Sequence, residues 1–323
     1  MLSLLKAEYK RLFKSILFYC MLICVIPVVL FIVNELYGIN WDLYEENTDY
    51  YYTIDYLFTG AITISMFFTV IFTPFFVGTE FSDRVINNKV IAGAKRSHIF
   101  LTEFIVSSSA MLILEAVIDI VSIIIVKIAL RGQNHSIFDT SYSDMFLIKT
   151  CFDLGLVIFC AFCVLLSMSI GSRVKAIIVI IIVYFISNSL SSTIYLRVLP
   201  IETQTRIDQE VFGWSTEIVV NTEDTAEREQ KPFEETHAEI LENYSIVNEK
   251  QEAAKGEDLS GANKILYMFL NDALPQNQYL NASSWVFAAK ASPLIPRYMV
   301  YDVVLIAIIL GIGVLVFERK ELK

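Results

Sequence analysis

Residues 99–126 have the sequence IFLTEFIVSSSAMLILEAVIDIVSIIIV, in which Glu103, Glu115 and Asp119 are the ionisable side chains. A helix crosses the hydrocarbon core of a bilayer with about 20 mainly apolar residues, and this run exceeds that length. An isolated β-strand would leave its backbone polar groups unpaired in lipid, and the alternating pattern of a membrane β-barrel is absent. The stretch therefore predicts a transmembrane helix.

Five further apolar runs of comparable length predict helices of the same kind. Apolar residues make up 55% of the 323 residues and charged residues 19%, a balance that excludes an ordinary soluble domain. We expect an all-α integral membrane protein with six transmembrane helices. The predicted helices lie at residues 16–37, 57–79, 99–126, 150–169, 176–196 and 298–317.

The basic residues of the short connecting segments indicate the orientation of these helices, because Lys and Arg in short loops remain on the cytoplasmic side during insertion. The first predicted loop, residues 38–56, has no Lys or Arg and five acidic residues. Thirteen basic residues occur in the two terminal segments and in the second and fourth loops, so we expect both termini in the cytoplasm. Those residues are Lys6, Lys10, Arg11, Lys14, Arg84, Lys89, Lys95, Arg96, Arg173, Lys175, Arg319, Lys320 and Lys323.

The long polar segment at residues 198–297 carries most of the net charge of −10. It contains 17 Asp and Glu against 8 Lys and Arg, and part of it is rich in residues that favour helix. We expect an acidic, helical extracellular domain and no nucleic-acid partner. The predicted order is an interfacial helix at 1–15, transmembrane helices 1–5 at 16–197, the extracellular domain at 198–297, and transmembrane helix 6 with a cytoplasmic tail at 298–323.

The first fifteen residues predict an amphipathic helix lying at the membrane surface. Its apolar residues recur at helical spacing and its basic residues occupy other positions, so we expect the apolar face in the headgroup region and the basic residues against anionic lipid. A topology anchor and a mechanical role at the edge of a moving bundle both fit this pattern. The apolar set is Leu5, Tyr9, Leu12, Phe13 and Ile16; the basic set is Lys6, Lys10, Arg11 and Lys14.

Residues 78–103, GTEFSDRVINNKVIAGAKRSHIFLTE, form the second predicted loop and its flanks. A Gly and a Glu close one helix, a short polar helix follows, and a Gly and a basic pair precede the next helix. This order resembles the type-2 family of ABC transporter permeases, and the ending GIGVLVFERKELK at 311–323 is similar to that family's closing pattern of small residues, an aromatic and a basic tail. Many members have a Gly a few residues after the acidic residue of the loop, where this chain has Asp83 and Arg84.

The resemblance implies a permease subunit of an ATP-driven exporter in the plasma membrane, paired with a second copy or a related permease. The loop at 80–98 would be the coupling helix that docks on an ABC ATPase subunit, and the cargo would be a peptide or another amphipathic or hydrophobic molecule. A loop of mixed charge between two rigid helices is also physically suited to transmit motion, although a solvated loop that only fixes topology has the same composition. The residues expected to face the ATPase are Glu80, Asp83, Arg84, Lys89, Lys95 and Arg96.

The chain lacks the motifs of a catalytic subunit. It has no Gly-x-x-x-x-Gly-Lys-Ser/Thr run, so we expect no cofactor and no metal in this chain and assign ATP and magnesium to the partner subunit. His98, His135 and His237 are isolated and no nucleophile elbow occurs, so no catalytic residue is predicted.

Ionisable and polar residues inside the predicted helices are candidates for a translocation path, because charge in hydrocarbon is costly and usually faces protein or water. Glu115 and Asp119 lie one turn apart, and Asn188 and Ser192 lie in the fifth predicted helix. Pairing among the charged residues, with Lys127, Lys149, Asp153 and Asp302 nearby in the predicted topology, is an alternative, as is helix packing for the small polar ones.

Two other classes of function remain open from the sequence. One is a membrane sensor or immunity protein whose extracellular domain captures a peptide without transport. The other is an ion-coupled carrier that uses Glu115 and Asp119, for which broken helices or an inverted repeat would be expected.

Overall fold

The computed structural model describes residues 1–37, 52–129, 141–220, 261–286 and 294–320, and the secondary structure in these ranges is α-helical without a strand. The prediction of an all-α chain is therefore confirmed for the described residues. The helices are α1 (Leu2–Leu12), α2 (Ile16–Tyr37), α3 (Tyr52–Ser82), α4 (Val85–Ile91), α5 (Arg96–Ala129), α6 (Tyr142–Ile170), α7 (Arg173–Val220), α8 (Gly261–Ala273), α9 (Pro275–Val286) and α10 (Ile295–Arg319).

Within these ranges, five helices are long and apolar enough to cross a membrane, as expected for a multi-pass membrane protein. They are Ile62–Ser82, Arg96–Ile125, Tyr142–Ile170, Arg173–Tyr195 and Ile295–Arg319. A sixth is obtained if Leu2–Leu12 and Ile16–Phe31, which meet at an angle of 54°, count as one bent span.

Helix α6 lies at the centre of the bundle and packs against α3, α5, α9 and α10. Helix α2 packs on α5 and α3, and α1 packs on α5. Large apolar side chains fill the interior, and the rings of Phe72 and Phe76 on α3 stack with their centroids 5.2 Å apart. Burial of such side chains against neighbouring helices fixes the helices in one arrangement.

The chain divides into two compact units, Met1–Ser189 with Asp272–Lys323, and Leu190–Asn271. Helix α9 belongs to the first unit, although its residues lie within the segment 198–297 that the sequence predicts as a separate extracellular domain. The first residue of α9, Pro275, lies next to Gly155 near the middle of α6, and the rings of Tyr279 and Phe152 are 5.2 Å apart. The apolar pattern could not show this insertion, because α9 is polar in composition.

Helix α1 packs its apolar face on protein, not on lipid as the sequence led us to expect. Leu12 is fully buried, Leu5 and Tyr9 pack against the core, and the Tyr9 hydroxyl donates a hydrogen bond to Ser109 Oγ on α5 at 3.0 Å. Phe13 and Ile16, which the sequence assigns to the same face, are exposed. Phe13 is the C-cap of α1 and keeps the helical direction, whereas Ile16 follows the bend before α2.

Gly78 permits α3 to approach the start of α7 closely. A Cβ added at Gly78 would lie 2.7 Å from the Cα of Arg173, which is backbone and cannot move away independently. A Cβ added at Gly311 on α10, by contrast, meets nothing within 4 Å.

We therefore expect Gly78→Ala to destabilise the protein by about 1–3 kcal/mol, the usual cost of an overpacked site. Gly311→Ala is the matched control and should leave stability unchanged or raise it, since alanine is the better helix former. Thermal unfolding of the two full-length variants in the same detergent measures the difference. Equal midpoints for the two variants would contradict the close approach of α3 and α7.

Candidate functional site

The short helix α4 connects α3 to α5 and begins at an unusual backbone conformation. Arg84, its N-cap, has φ 56° and ψ 20°, the left-handed region that costs a non-glycine residue roughly 1–2 kcal/mol. Asp83 and Arg84 form the turn between α3 and α4. The turn that a glycine favours is thus present in this chain without the glycine.

Five charged side chains form a cluster, hereafter the ion-pair cluster, between α4 and the helices around it: Glu8 and Arg11 of α1, Glu80 of α3, Lys89 of α4 and Glu103 of α5. Lys89 Nζ lies 2.5 Å from Glu8 Oε1, 2.5 Å from Glu80 Oε1 and 3.3 Å from Glu103 Oε1. Arg11 lies 3.0 Å from Glu8 Oε2 and 2.9 Å from Glu103 Oε2, and it also pairs with Glu80. Each cation therefore contacts all three carboxylates.

The ion-pair cluster is largely removed from water. The three glutamates are at most 3% exposed, and the guanidinium of Arg11 lies 3.8 Å from the ring centroid of Phe76, a cation–π contact. Burial lowers the pKa of Lys89, but the charges of Glu103, Glu80 and Glu8 outweigh it and hold that pKa above its ordinary value. Lys89 thus remains charged and compensates the buried carboxylates.

The three glutamates also have a spacing compatible with a metal ion, since their ligand oxygens lie within 4.8 Å of one another. The ammonium of Lys89 and the guanidinium of Arg11 already contact these oxygens. Lys89 and Arg11 therefore compensate the carboxylate charges that a metal ion would otherwise compensate. The geometry favours a structural ion cluster over a metal centre.

The outer surface of α4 and its flanks has a different character. Ile86 is fully buried, whereas Ile91, five residues later on the same helix, is 83% exposed. Asp83, Arg84 and Lys95 are also exposed. We call Asp83, Arg84, Ile91 and Lys95 the loop surface.

The end of the chain lies close to the loop. The Arg96 guanidinium donates to the backbone oxygen of Glu318 at 3.1 Å and to that of Lys320. Lys320 Nζ in turn donates to the backbone oxygens of Met168 at 2.6 Å and Ser169 at 3.0 Å, at the end of α6, where a cation is favoured by the helix dipole. Burial lowers the pKa of Lys320.

The structure therefore separates the six residues expected to face an ATPase. Glu80 and Lys89 point into the ion-pair cluster, which corrects the expectation that they lie at the surface, and their burial is explained by the carboxylates that require compensation. Arg96 binds the end of α10. Asp83, Arg84 and Lys95 remain available at the surface; whether any of them contacts an ATPase stays a prediction.

A second charged cluster joins the two acidic candidates for a translocation path. Lys149 of α6 pairs with Glu115 and lies 3.0 Å from an oxygen of Asp119, both on α5. The Ser65 hydroxyl of α3 donates to Glu115. The alternative of pairing within the bundle is thus realised for these residues, while a role in transport remains a prediction.

The other two path candidates are not part of this cluster. Asn188 Nδ2 donates to the backbone oxygen of Tyr184, one turn back on its own helix, at 2.8 Å, and Ser192 is exposed. Asp302 accepts from Gln278 Nε2 of α9 at 2.9 Å. The side chain of Lys127 lies outside the described residues.

Sequence reasoning missed Glu8, Glu103 and Gln278 as site residues. Glu8 is the one acidic residue in an otherwise basic terminal segment, and Glu103 is an isolated charge near one end of an apolar run. Both are signals of a buried partner. Gln278 could not be identified in this way, because it lies in a polar segment that the sequence predicts as extracellular.

Comparison of the chain with protein-family models, with curated proteins and with solved structures finds no match.

The ion-pair cluster predicts a large difference between two lysines of the same segment. Lys89→Met leaves three buried carboxylates with one cation and should destabilise the protein by about 3–5 kcal/mol. Lys95→Met removes an exposed charge and should change stability by less than about 0.5 kcal/mol. Thermal unfolding of the purified variants in detergent measures both effects.

A double variant separates lost compensation from lost packing. Adding Glu80→Gln to Lys89→Met removes one of the uncompensated charges, so the double variant should be more stable than Lys89→Met alone. An additive loss in the double variant would show that the charges of Lys89 and Glu80 are not coupled.

Proposed function

We propose that the chain is the membrane-spanning permease subunit of an ATP-driven ABC exporter. The observation that supports this most directly is the division of α4 into two sides. Its inner side is held by the ion-pair cluster to α1, α3 and α5, and its outer side presents the exposed Ile91 among charged neighbours. An apolar anchor surrounded by charge is the usual form of a protein docking surface.

In this proposal an ATPase subunit binds the loop surface and moves α4 during its catalytic cycle. Lys89 contacts carboxylates on three other helices, so a displacement of α4 acts on those helices at the same time. The helices are rigid rods several turns long, and they convert a push at one end into a tilt of the bundle. ATP and magnesium are bound by the ATPase, and this chain supplies the path.

The complete transporter contains two permease subunits, either two copies of this chain or this chain with a related one. In this proposal each subunit crosses the plasma membrane with six helices and has both termini in the cytoplasm. The cargo is an amphipathic or hydrophobic molecule such as a peptide, which the acidic segment on the outer side would attract if the cargo is cationic.

The orientation can be tested by labelling from outside the cell. Lys95→Cys and Lys264→Cys place a thiol at two exposed positions, on opposite sides of the membrane in the proposed topology. A membrane-impermeant thiol reagent added to intact cells should label the Lys264→Cys variant, and it should label the Lys95→Cys variant only after permeabilisation. A parent chain in which Cys20 and Cys24, both exposed, are replaced by alanine gives the background, and the reverse pattern of labelling would overturn the topology.

The docking role is tested by purifying the tagged full chain from the membranes of its own cell. We expect an ATPase subunit in stoichiometric amount and ATP hydrolysis by the purified complex. Ile91→Ser should reduce both strongly, because it removes the apolar anchor of the loop surface. Ile265→Ser, at an isoleucine that is 72% exposed in the predicted extracellular segment, is the matched control and should leave both unchanged.

Purification of the chain without an ATPase and without ATP hydrolysis would refute the exporter. That outcome would favour the sensor or immunity protein, for which binding of a peptide to the extracellular segment is then the relevant measurement.

A further inference from the structure

The outward side of α1 carries two lysines with an apolar residue at either end. Leu2, Lys6, Lys10 and Phe13 are exposed. At 3.6 residues per turn these four positions fall within an arc of about 80° of the helix surface. Lys14 follows the end of the helix and is also exposed. We call Leu2, Lys6, Lys10 and Phe13 the outward face of α1.

The charge of this face is entirely positive. Glu8 is the one acidic residue among residues 1–31, the part of the N-terminal segment whose side chains the structure describes, and it is buried in the ion-pair cluster. Arg11, the one arginine among the four basic residues of the segment, also points into that cluster. The structure therefore divides a basic segment into three exposed lysines, two of them on the outward face of α1, and one inward arginine.

We propose that the outward face of α1 binds the headgroups of anionic phospholipids, and that bound lipid steadies α4 through the Glu8–Lys89 ion pair. The lysines complement the phosphate charge. The exposed Leu2 and Phe13 lie on the same arc and enter the acyl region beside the headgroups, which a soluble acidic protein or a free phosphate would leave in water. The inference rests on the proposed function only in placing α1 at the cytoplasmic leaflet.

The link from lipid to α4 follows from the two sides of one helix. The outward face carries Lys6 and Lys10, and the inward side carries Glu8, whose carboxylate lies 2.5 Å from Lys89 Nζ. Helix α1 has 11 residues and is further fixed by the hydrogen bond from Tyr9 to Ser109. Lipid that limits the motion of α1 therefore also limits the motion of α4.

Lipid selectivity of the purified full chain tests the first step. The chain is reconstituted in phosphatidylcholine vesicles with a trace of spin-labelled phosphatidylglycerol or phosphatidylcholine, and the protein-associated fraction of each label is measured. We expect a preference for phosphatidylglycerol that salt weakens. Lys6→Gln with Lys10→Gln should reduce it, by up to roughly 30-fold at low ionic strength for two lysines near the surface.

A control variant and a soluble competitor make this test specific. Lys95→Gln with Lys175→Gln removes the same charge from exposed positions elsewhere and should retain the preference. Glycerol phosphate, which lacks acyl chains, should not compete at equal concentration. Equal loss in both double variants, no preference in the unaltered chain, or full competition by glycerol phosphate would each overturn the lipid assignment.

Hydrogen exchange tests the second step. Amides of α4 should exchange more slowly in vesicles that contain phosphatidylglycerol than in phosphatidylcholine alone. Glu8→Gln weakens the pair with Lys89 and leaves the outward face intact, so this variant should keep the lipid preference and lose the difference in exchange. If Glu8→Gln retained the difference in exchange between the two kinds of vesicle, the link to α4 would be refuted. None of these measurements needs an ATPase. A negative result for lipid binding therefore does not affect the docking proposal, and a negative result for ATPase co-purification does not affect lipid binding.

Discussion

Three carboxylates buried among apolar side chains are the constraint on which one end of the bundle depends. Glu8, Glu80 and Glu103 come from three different helices, and an ionised carboxylate taken out of water costs several kcal/mol unless a cation accompanies it. Arg11 and Lys89 supply that charge, and each contacts all three glutamates. Charge compensation therefore helps to fix the positions of α1, α3, α4 and α5, and no single helix can leave without making buried charges of its neighbours lose a partner.

Acidic residues of α5 are compensated by a cation from another helix at a second place. Glu115 and Asp119 lie about 18 Å or more beyond Glu103 at 1.5 Å per residue, and Lys149 of α6 compensates them. Helix α5 thus contributes carboxylates to two clusters, one with α4 and one with the central helix α6. In the proposed permease this continuous helix connects the docking loop to the charged residues of the outer half, and any motion of the loop reaches Lys149 through a rigid element.

The sequence predicted the helices well and the contacts of their charges poorly. Hydrophobic thickness fixes the length of a membrane helix, so the apolar run at 99–126 matched α5 (Arg96–Ala129) closely. The partner of a charge is decided by tertiary packing, which a single sequence does not contain, and so Glu80 and Lys89 were assigned to the surface. The sequence predicts α9 outside the bundle for a related reason: the buried Gln278 donates to Asp302, a partner more than twenty residues away that the sequence does not reveal.

The conformation of Arg84 explains how one short helix comes to have a buried side and an exposed side. A left-handed residue turns the chain sharply at the end of α3, so that α4 presents Ile86 and Lys89 to the bundle and Ile91 to the outside. Strained backbone of this kind persists only where surrounding contacts fix it, and the ion pairs of Lys89 supply those contacts. The inner side of α4 thus stabilises the turn that exposes its outer side, and a change that weakens the ion-pair cluster alters the loop surface even though no residue of that surface has been changed.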